Sequence, residues 1–148
     1  VHPLATLPQY QTKGAAAFDL HAIIEEKDES PPGSGITIPV GQARTFRTGF
    51  AYEIPDGWVM KIHSRSGHGF KHGIVLANGT GIIDSDYRGE LLVRLRNEGD
   101  FPFTVHHGHR VAQAMVEQAM QWELVEIGED EELSSTDRGE NGCGSTGR

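Results

Sequence analysis

Nineteen glycines and seven prolines punctuate 148 residues, and this punctuation limits the fold more than any other feature. Glycine and proline interrupt helices, so a chain cut this often must be built from short segments joined by tight turns. The cuts fall at "PPGSG" (31–35), "PVG" (39–41), "PDG" (55–57), "NEGD" (97–100) and "HHGH" (106–109). Between them lie short apolar runs that read as β-strands: Ile36 to Ile38, Phe46 to Ile54, Trp58 to Ile62, Leu91 to Arg96, Phe101 to Val105, Val111 to Met115 and Trp122 to Ile127. Many short strands between turns predict an all-β sandwich, jelly roll or barrel. The basic stretch after Ser66 is the one helix candidate, and its glycines weaken it.

With 36% hydrophobic residues, the chain suits one domain with a core, predicted over residues 1–133, followed by a glycine-rich arm over 134–148. Six carboxylates between Glu126 and Asp137 read as a solvated linker leading into that arm. A net charge of -8 argues against direct nucleic-acid binding, which relies on many Lys and Arg to neutralise phosphates. No run approaches the roughly 20 apolar residues of a membrane span, and the stretch "VHPLATLPQY" has no signal-like core. The expectation is a soluble, intracellular, cytoplasmic protein. Its single cysteine, Cys143, excludes an internal disulfide.

Polar residues gather in islands between the strands. In "AAAFDLHA" (15–22), Asp19 stands between Phe18 and Leu20, so a strand would turn it away from its apolar neighbours. In "HSRSGHGFKHG" (63–73), Arg65 and Ser66 offer donors to phosphate oxygens and Gly67 permits close backbone approach. "ANGTGIIDSDYRGE" (77–90) opens on Asn78 and Gly79, a hairpin-like turn whose backbone groups suit a small planar ligand. The apolar pair Ile82 and Ile83 follows, then Asp84, Asp86 and Tyr87. In a regular strand Asp84 and Asp86 would share a face, one orienting a water. In "GHRVAQA" (108–114), Gln113 can donate to phosphate or position a water, and Arg110 can equally be a structural cation.

At the end, the N–H groups around Gly144 and the hydroxyls of Ser145 and Thr146 can form a concave nest for anionic oxygens. The segment is not a Walker loop, since no lysine precedes Ser145. His106, His107 and His109 lie in a turn without a Cys or Glu partner at zinc-site spacing, which favours a surface turn over a metal site.

In this order, "AAAFDLHA", "SRSG", "GTGIIDSDYRGE", "GHRVAQ" and "RGENGCGSTG" resemble the five motifs of the homotrimeric dUTPase family. The match runs from about Ala15 to Gly147. The resemblance implies a jelly-roll-like β subunit, a homotrimer with shared sites at subunit interfaces, a C-terminal arm that closes over them, and hydrolysis of dUTP to dUMP and pyrophosphate. That reaction limits uracil incorporation into DNA and supplies dUMP for thymidylate synthesis.

The resemblance also implies roles for single residues. Asp84 would activate the attacking water and contact the deoxyribose, with Gln113 nearby as its catalytic partner. Tyr87 would exclude a 2′-hydroxyl. Asn78, Gly79 and the backbone through Ile83 would read the uracil edge. Arg65, Ser66, Gly67 and Gln113 would hold the phosphates, and Arg138, Gly144, Ser145 and Thr146 would clamp the outer ones. The implied cofactor is Mg2+, carried mainly by phosphates and waters, with Asp19 on the metal side through water.

One residue departs from the family pattern: Cys143 stands where an aromatic side chain usually stacks on the uracil. The nearest rival is dCTP deaminase, similar in fold and third motif, but its catalytic Glu is matched here by Arg94. A rival of another class is a nucleotide sensor that keeps the pocket with its chemistry secondary or lost.

Overall fold

A computed structural model describes residues 2–28, 31–129 and 131–142. In chain order its strands are β1 (Phe18–His21), β2 (Ile36–Ile38), β3 (Ala43–Arg47), β4 (Trp58–His63), β5 (Ile74–Leu76), β6 (Gly81–Ile83), β7 (Leu92–Asn97), β8 (Phe103–Val105) and β9 (Arg110–Gln118). One helix, α1 (Ser66–His72), lies between β4 and β5. The strands form a four-stranded sheet in the order β1-β9-β4-β6, a three-stranded sheet β3-β7-β5, and a two-stranded ribbon β2-β8. Every ladder is antiparallel. This is an all-β, jelly-roll-like architecture. No helix among the described residues is long and apolar enough to cross a membrane.

One core joins all three sheets. Leu20, Met60, Ile62, Ala112 and Ala114 come from the four-stranded sheet, Phe46, Ile74, Val93 and Leu95 from the three-stranded one, and Ile38 and Val105 from the ribbon. Strand β7 shows how sequence dictates this: Val93, Leu95 and Asn97 are buried, while Leu92, Arg94 and Arg96 alternate outward. Asn97 ends the alternation as a fully buried polar side chain. Its Nδ2 donates to the carbonyls of Ile38 and Phe101, at 2.9 and 2.8 Å, and its Oδ1 accepts from Gly99 N at 3.0 Å. Burial is tolerated because every polar atom of the amide has a partner.

The predicted strands need four corrections. The run from Phe46 to Ile54 is not one strand: β3 ends at Arg47, and Thr48 turns its hydroxyl onto the Leu91 carbonyl at 2.8 Å. Trp122 to Ile127 forms no strand, and Trp122, Leu124 and Val125 are exposed. Apolar spacing without a partner strand leaves backbone groups unpaired, so no ladder forms. Asn78 and Gly79 do not close a hairpin, because β5 and β6 belong to different sheets. The turn is a corner that carries the chain from one sheet to the other. Finally, β6 stops at Ile83, so Asp84 and Asp86 lie in the turn after it and not on one strand face.

The weakened helix candidate does fold. Gly73 caps α1 in the left-handed conformation at φ 65°, where only glycine is comfortable. A side chain at Gly73 would also run into the backbone of Gly99, and one at Gly99 into the His72 carbonyl. This contact pins α1 to the turn before β8, with Glu98 N donating to the Gly73 carbonyl at 2.8 Å.

Candidate functional site

The β1-β9-β4 sheet brings three sequence-distant polar residues into one row. Asp19 pairs with Gln113 in the β1–β9 ladder, and Gln113 pairs with His63 in the β4–β9 ladder. Their flanking partners Leu20, Ala112 and Ala114 are buried, so period-two alternation puts Asp19, Gln113 and His63 on the opposite face. Neighbouring strands are about 4.8 Å apart, and the row therefore spans about 10 Å.

Arg65 stands at the end of this row, where β4 gives way to α1. Its Nε donates to Asp19 Oδ1 at 2.8 Å, and Arg110 Nη1 donates to Asp19 Oδ2 at 3.3 Å. Side-chain exposure is only 12% at Asp19 and 20% at Arg65, so this pair is screened less than a surface salt bridge. Both carboxylate oxygens are engaged by guanidinium groups. Asp19 thus acts as an anchor for two cations.

The turn between β4 and α1 is fixed from two sides. Ser64 Oγ accepts from Leu76 N at 2.8 Å, and the Ser64 carbonyl accepts from Gln113 Nε2 at 2.9 Å. Ser66 and Gly67 follow, both exposed, and a side chain at Gly67 would meet open space. Arg65, Ser66 and Gly67 thus present a donor-rich edge beside Gln113 and Arg110. Ser64 is a structural member of this group that the motif pattern did not single out, and Arg110 takes the structural-cation role that was one of its two expected readings. Only the ladder register reveals the partner of Arg110.

The residues of the third motif form a second group. Asn78 and Gly79 are exposed at the corner between β5 and β6, where Asn78 Nδ2 donates to the Thr80 carbonyl at 3.3 Å. Tyr87 Oη donates to the Glu90 carbonyl at 3.1 Å, and its ring lies over Gly89, where an added Cβ would collide with it. The glycine in "DYRGE" is thereby explained. Glu90 in turn accepts from Gly49 N at 2.8 Å and Arg47 Nε at 3.0 Å. Asp84 is exposed and borders a hollow of about 240 Å3 with Ile82, Ile83, Tyr87, Glu90, Leu91 and Leu92. It also borders a larger open hollow of about 910 Å3, with Trp58, Lys61, Asp86 and Glu117 among its walls.

The two groups do not meet within one chain. Ile83 pairs with Met60, so Asp84 lies beside the start of β4, whereas Gln113 pairs with His63 at its end. Four residues along β4 and two strand spacings across separate them by about 13 Å and about 10 Å respectively. Neither hollow bordered by Asp84 is lined by Arg65, Ser66 or Gln113. A water activated by Asp84 could not reach a phosphate held at Arg65 of the same chain, since proton transfer needs contact of about 3 Å.

Arg138 is exposed, and its Nε donates to the Asn141 carbonyl at 2.9 Å. Cys143, Gly144, Ser145 and Thr146 lie outside the described residues. Among the described residues no three His, Cys, Asp or Glu side chains are grouped to hold a metal.

Comparison with known proteins adds to this geometry. The dUTPase family model matches residues 4–147. The chain is 44% identical over 144 residues to the deoxyuridine 5′-triphosphate nucleotidohydrolase of Nautilia profundicola, covering 97% of this chain and 92% of that one. Among solved structures it is similar to the Staphylococcus bacteriophage 80alpha dUTPase with dUPNHPP, with a TM-score of 0.83, 24% identity and coverage of 99% and 95% of the two chains. It is also similar to a mutant dUTPase from phage phi11 of S. aureus, at a TM-score of 0.71, 21% identity and coverage of 87% and 94%. That protein is described as coordinating a structural Mg(II) ion.

Proposed function

The chain belongs to the dUTPase family, and from that premise we propose how its own residues perform the hydrolysis. The enzyme converts dUTP to dUMP and pyrophosphate. Asp84 takes a proton from the water that attacks the α-phosphorus. The bond from that phosphorus to the bridging oxygen of the β-phosphate breaks, and pyrophosphate leaves with the electron pair. Arg65, Ser66, Gly67 and Gln113 bind the phosphates and hold the reacting centre in line, which is most of what phosphoryl chemistry asks of a protein. Tyr87 closes the sugar side, and Asn78, Gly79 and the backbone through Ile83 read the base. Arg138, Cys143, Gly144, Ser145 and Thr146 complete the site as the arm over residues 134–148, beyond the β domain of 1–133.

The separation of Asp84 from Gln113 is the observation that carries this reading furthest. It supports sites assembled between subunits of a homotrimer, with Asp84 and Tyr87 from one chain facing Arg65, Ser66 and Gln113 of another. Contact between subunits brings the base and the phosphate donors together without refolding the sheet, and a trimer is the assembly that the family resemblance implies.

The residues fit a Mg2+ ion that arrives on the triphosphate, held by phosphate oxygens and water, more than one held in a protein cage. Asp19 is occupied by Arg65 and Arg110, which supports the water-mediated role that the family resemblance implies for it. When bound, the ion neutralises charge on the phosphate oxygens. Work in the cytoplasm suits a nucleotide-pool enzyme of this kind.

The test is incubation with Mg2+ and, separately, dUTP, dCTP, dTTP and UTP, with products separated by chromatography. Turnover of dUTP alone is expected. Deamination of dCTP would reverse the reading, although Arg94 points outward on β7 and donates to Thr45 Oγ1 at 3.1 Å, a poor start for a deaminase.

A further inference from the structure

We propose that His68 is a positioning residue for Arg65, gripping its guanidinium at Nη1 while Asp19 holds Nε, and making phosphate binding sensitive to acid. The inference rests on the reading of Arg65 as a phosphate ligand. Arg65 Nη1 lies 3.4 Å from His68 Nε2, and Arg65 Nε lies 2.8 Å from Asp19 Oδ1. The guanidinium is therefore tied at two of its three nitrogens, and among the described residues its Nη2 has no protein hydrogen bond. A planar cation fixed at two corners presents the third in one orientation, which is what a phosphate site needs.

The chemistry of the pair fixes the state of the ring. A guanidinium has only N–H groups to offer, so His68 Nε2 must carry a lone pair, and the proton of the neutral ring sits on Nδ1. Nδ1 is buried with no hydrogen-bond partner among the described residues. The ring itself packs edge-on against Phe103 at 5.3 Å, and Phe103 also touches His72 at 5.1 Å. A doubly protonated ring would have two N–H groups without an acceptor, one of them facing Arg65.

The surrounding charges act in the same direction. Burial lowers the pKa of His68, and Arg65, His72 on α1, His109 in the turn before β9 and Arg110 on β9 lower it further. Asp19 is the carboxylate that holds Arg65, and its oxygens are taken by Arg65 and Arg110. The sign follows. The pKa is below the ordinary value of 6.5, so the grip on Arg65 is complete above that value and is lost as pH falls through the lowered one.

The experiment compares pH profiles of KM and kcat, from about pH 5 to about pH 8.5 with Mg2+ and dUTP, for wild type, His68→Gln, His68→Leu and Arg65→Gln. Titration of the substrate is common to all four and cancels in the ratios. His68→Leu is expected to raise KM about threefold to tenfold at about pH 8, the loss of one modest hydrogen bond, with kcat changed less. His68→Gln restores an acceptor that does not titrate in this range. Its KM at the alkaline end should approach that of wild type, and its acid limb should be flatter. If both His68 variants track the wild-type KM at every pH while Arg65→Gln raises it, the role of His68 is overturned and that of Arg65 stands. If Arg65→Gln leaves KM unchanged, the phosphate role of Arg65 fails first.

Discussion

Arg65 and Asp19, 46 residues apart in sequence, meet at 2.8 Å on the edge where β4 becomes α1. Sequence proximity to Ser66 makes Arg65 a phosphate candidate, but the carboxylate that holds it comes from the first strand. Replacing Asp19 by Asn keeps the shape and removes the charge. Loss of a charged hydrogen bond is worth about 1.5 to 3 kcal/mol, so KM for dUTP should rise about tenfold to a hundredfold with a folded protein by circular dichroism. A KM within about twofold of wild type would mean that Arg65 needs no anchor.

Asp84 and Gln113 are too far apart in one chain to serve one phosphorus, a separation that subunit mixing can test. Asp84→Asn should lower kcat by about 10² to 10⁴, the usual range for loss of a general base, and Arg65→Ala should separately disable the phosphate side. Co-refolding the two inactive variants in equal amounts lets one neighbour supply Asp84 and the other Arg65, and roughly a quarter of sites regain both in a randomly mixed symmetric oligomer. Recovery of activity in the mixture supports sharing between chains. Continued inactivity, with mixed oligomers demonstrated by mass, contradicts it.

Asn97 joins β7, β2 and the turn before β8 through three side-chain hydrogen bonds. Asn97→Leu would leave the carbonyls of Ile38 and Phe101 and the Gly99 N–H unpaired. The expected cost is about 2 to 4 kcal/mol, since buried unpaired groups cost about 1 to 3 kcal/mol each and partly relax toward water. Urea unfolding should register it as a lower midpoint with little change in slope. An unchanged midpoint would show that the amide is replaceable by packing.

In the proposed site, Cys143 stands where the family resemblance implies an aromatic side chain over the uracil, and a thiol has no face to stack. A base-aromatic stack is worth about 1 to 3 kcal/mol, so Cys143→Phe should raise kcat/KM for dUTP between about fivefold and a hundredfold. Equal values for the two proteins would remove the stacking argument for this chain.

Much of the fold is legible in the order of the residues, and so are the side chains from which the proposed site is drawn. The glycine and proline spacing implies short strands, the expected strand Leu91 to Arg96 falls within one residue of β7 at Leu92–Asn97, and the order of five motifs names the family. The departures share one cause. Phe46 to Ile54 and Trp122 to Ile127 have the apolar content of strands, yet a strand exists only where another backbone supplies its hydrogen bonds, and spacing carries no record of the partner. The hairpin expected at Asn78 and Gly79 fails for the same reason, since a turn motif does not say which sheet each arm joins. Residue types and their order thus determined the chemistry available: a carboxylate base, guanidinium and amide donors, and a glycine-rich end. Tertiary structure decided what touches what. It tied Asp19 to Arg65 and Arg110, set His68 against Phe103, and kept Asp84 apart from Gln113, because antiparallel register, unlike sequence order, is fixed by which side chains the common core can bury together.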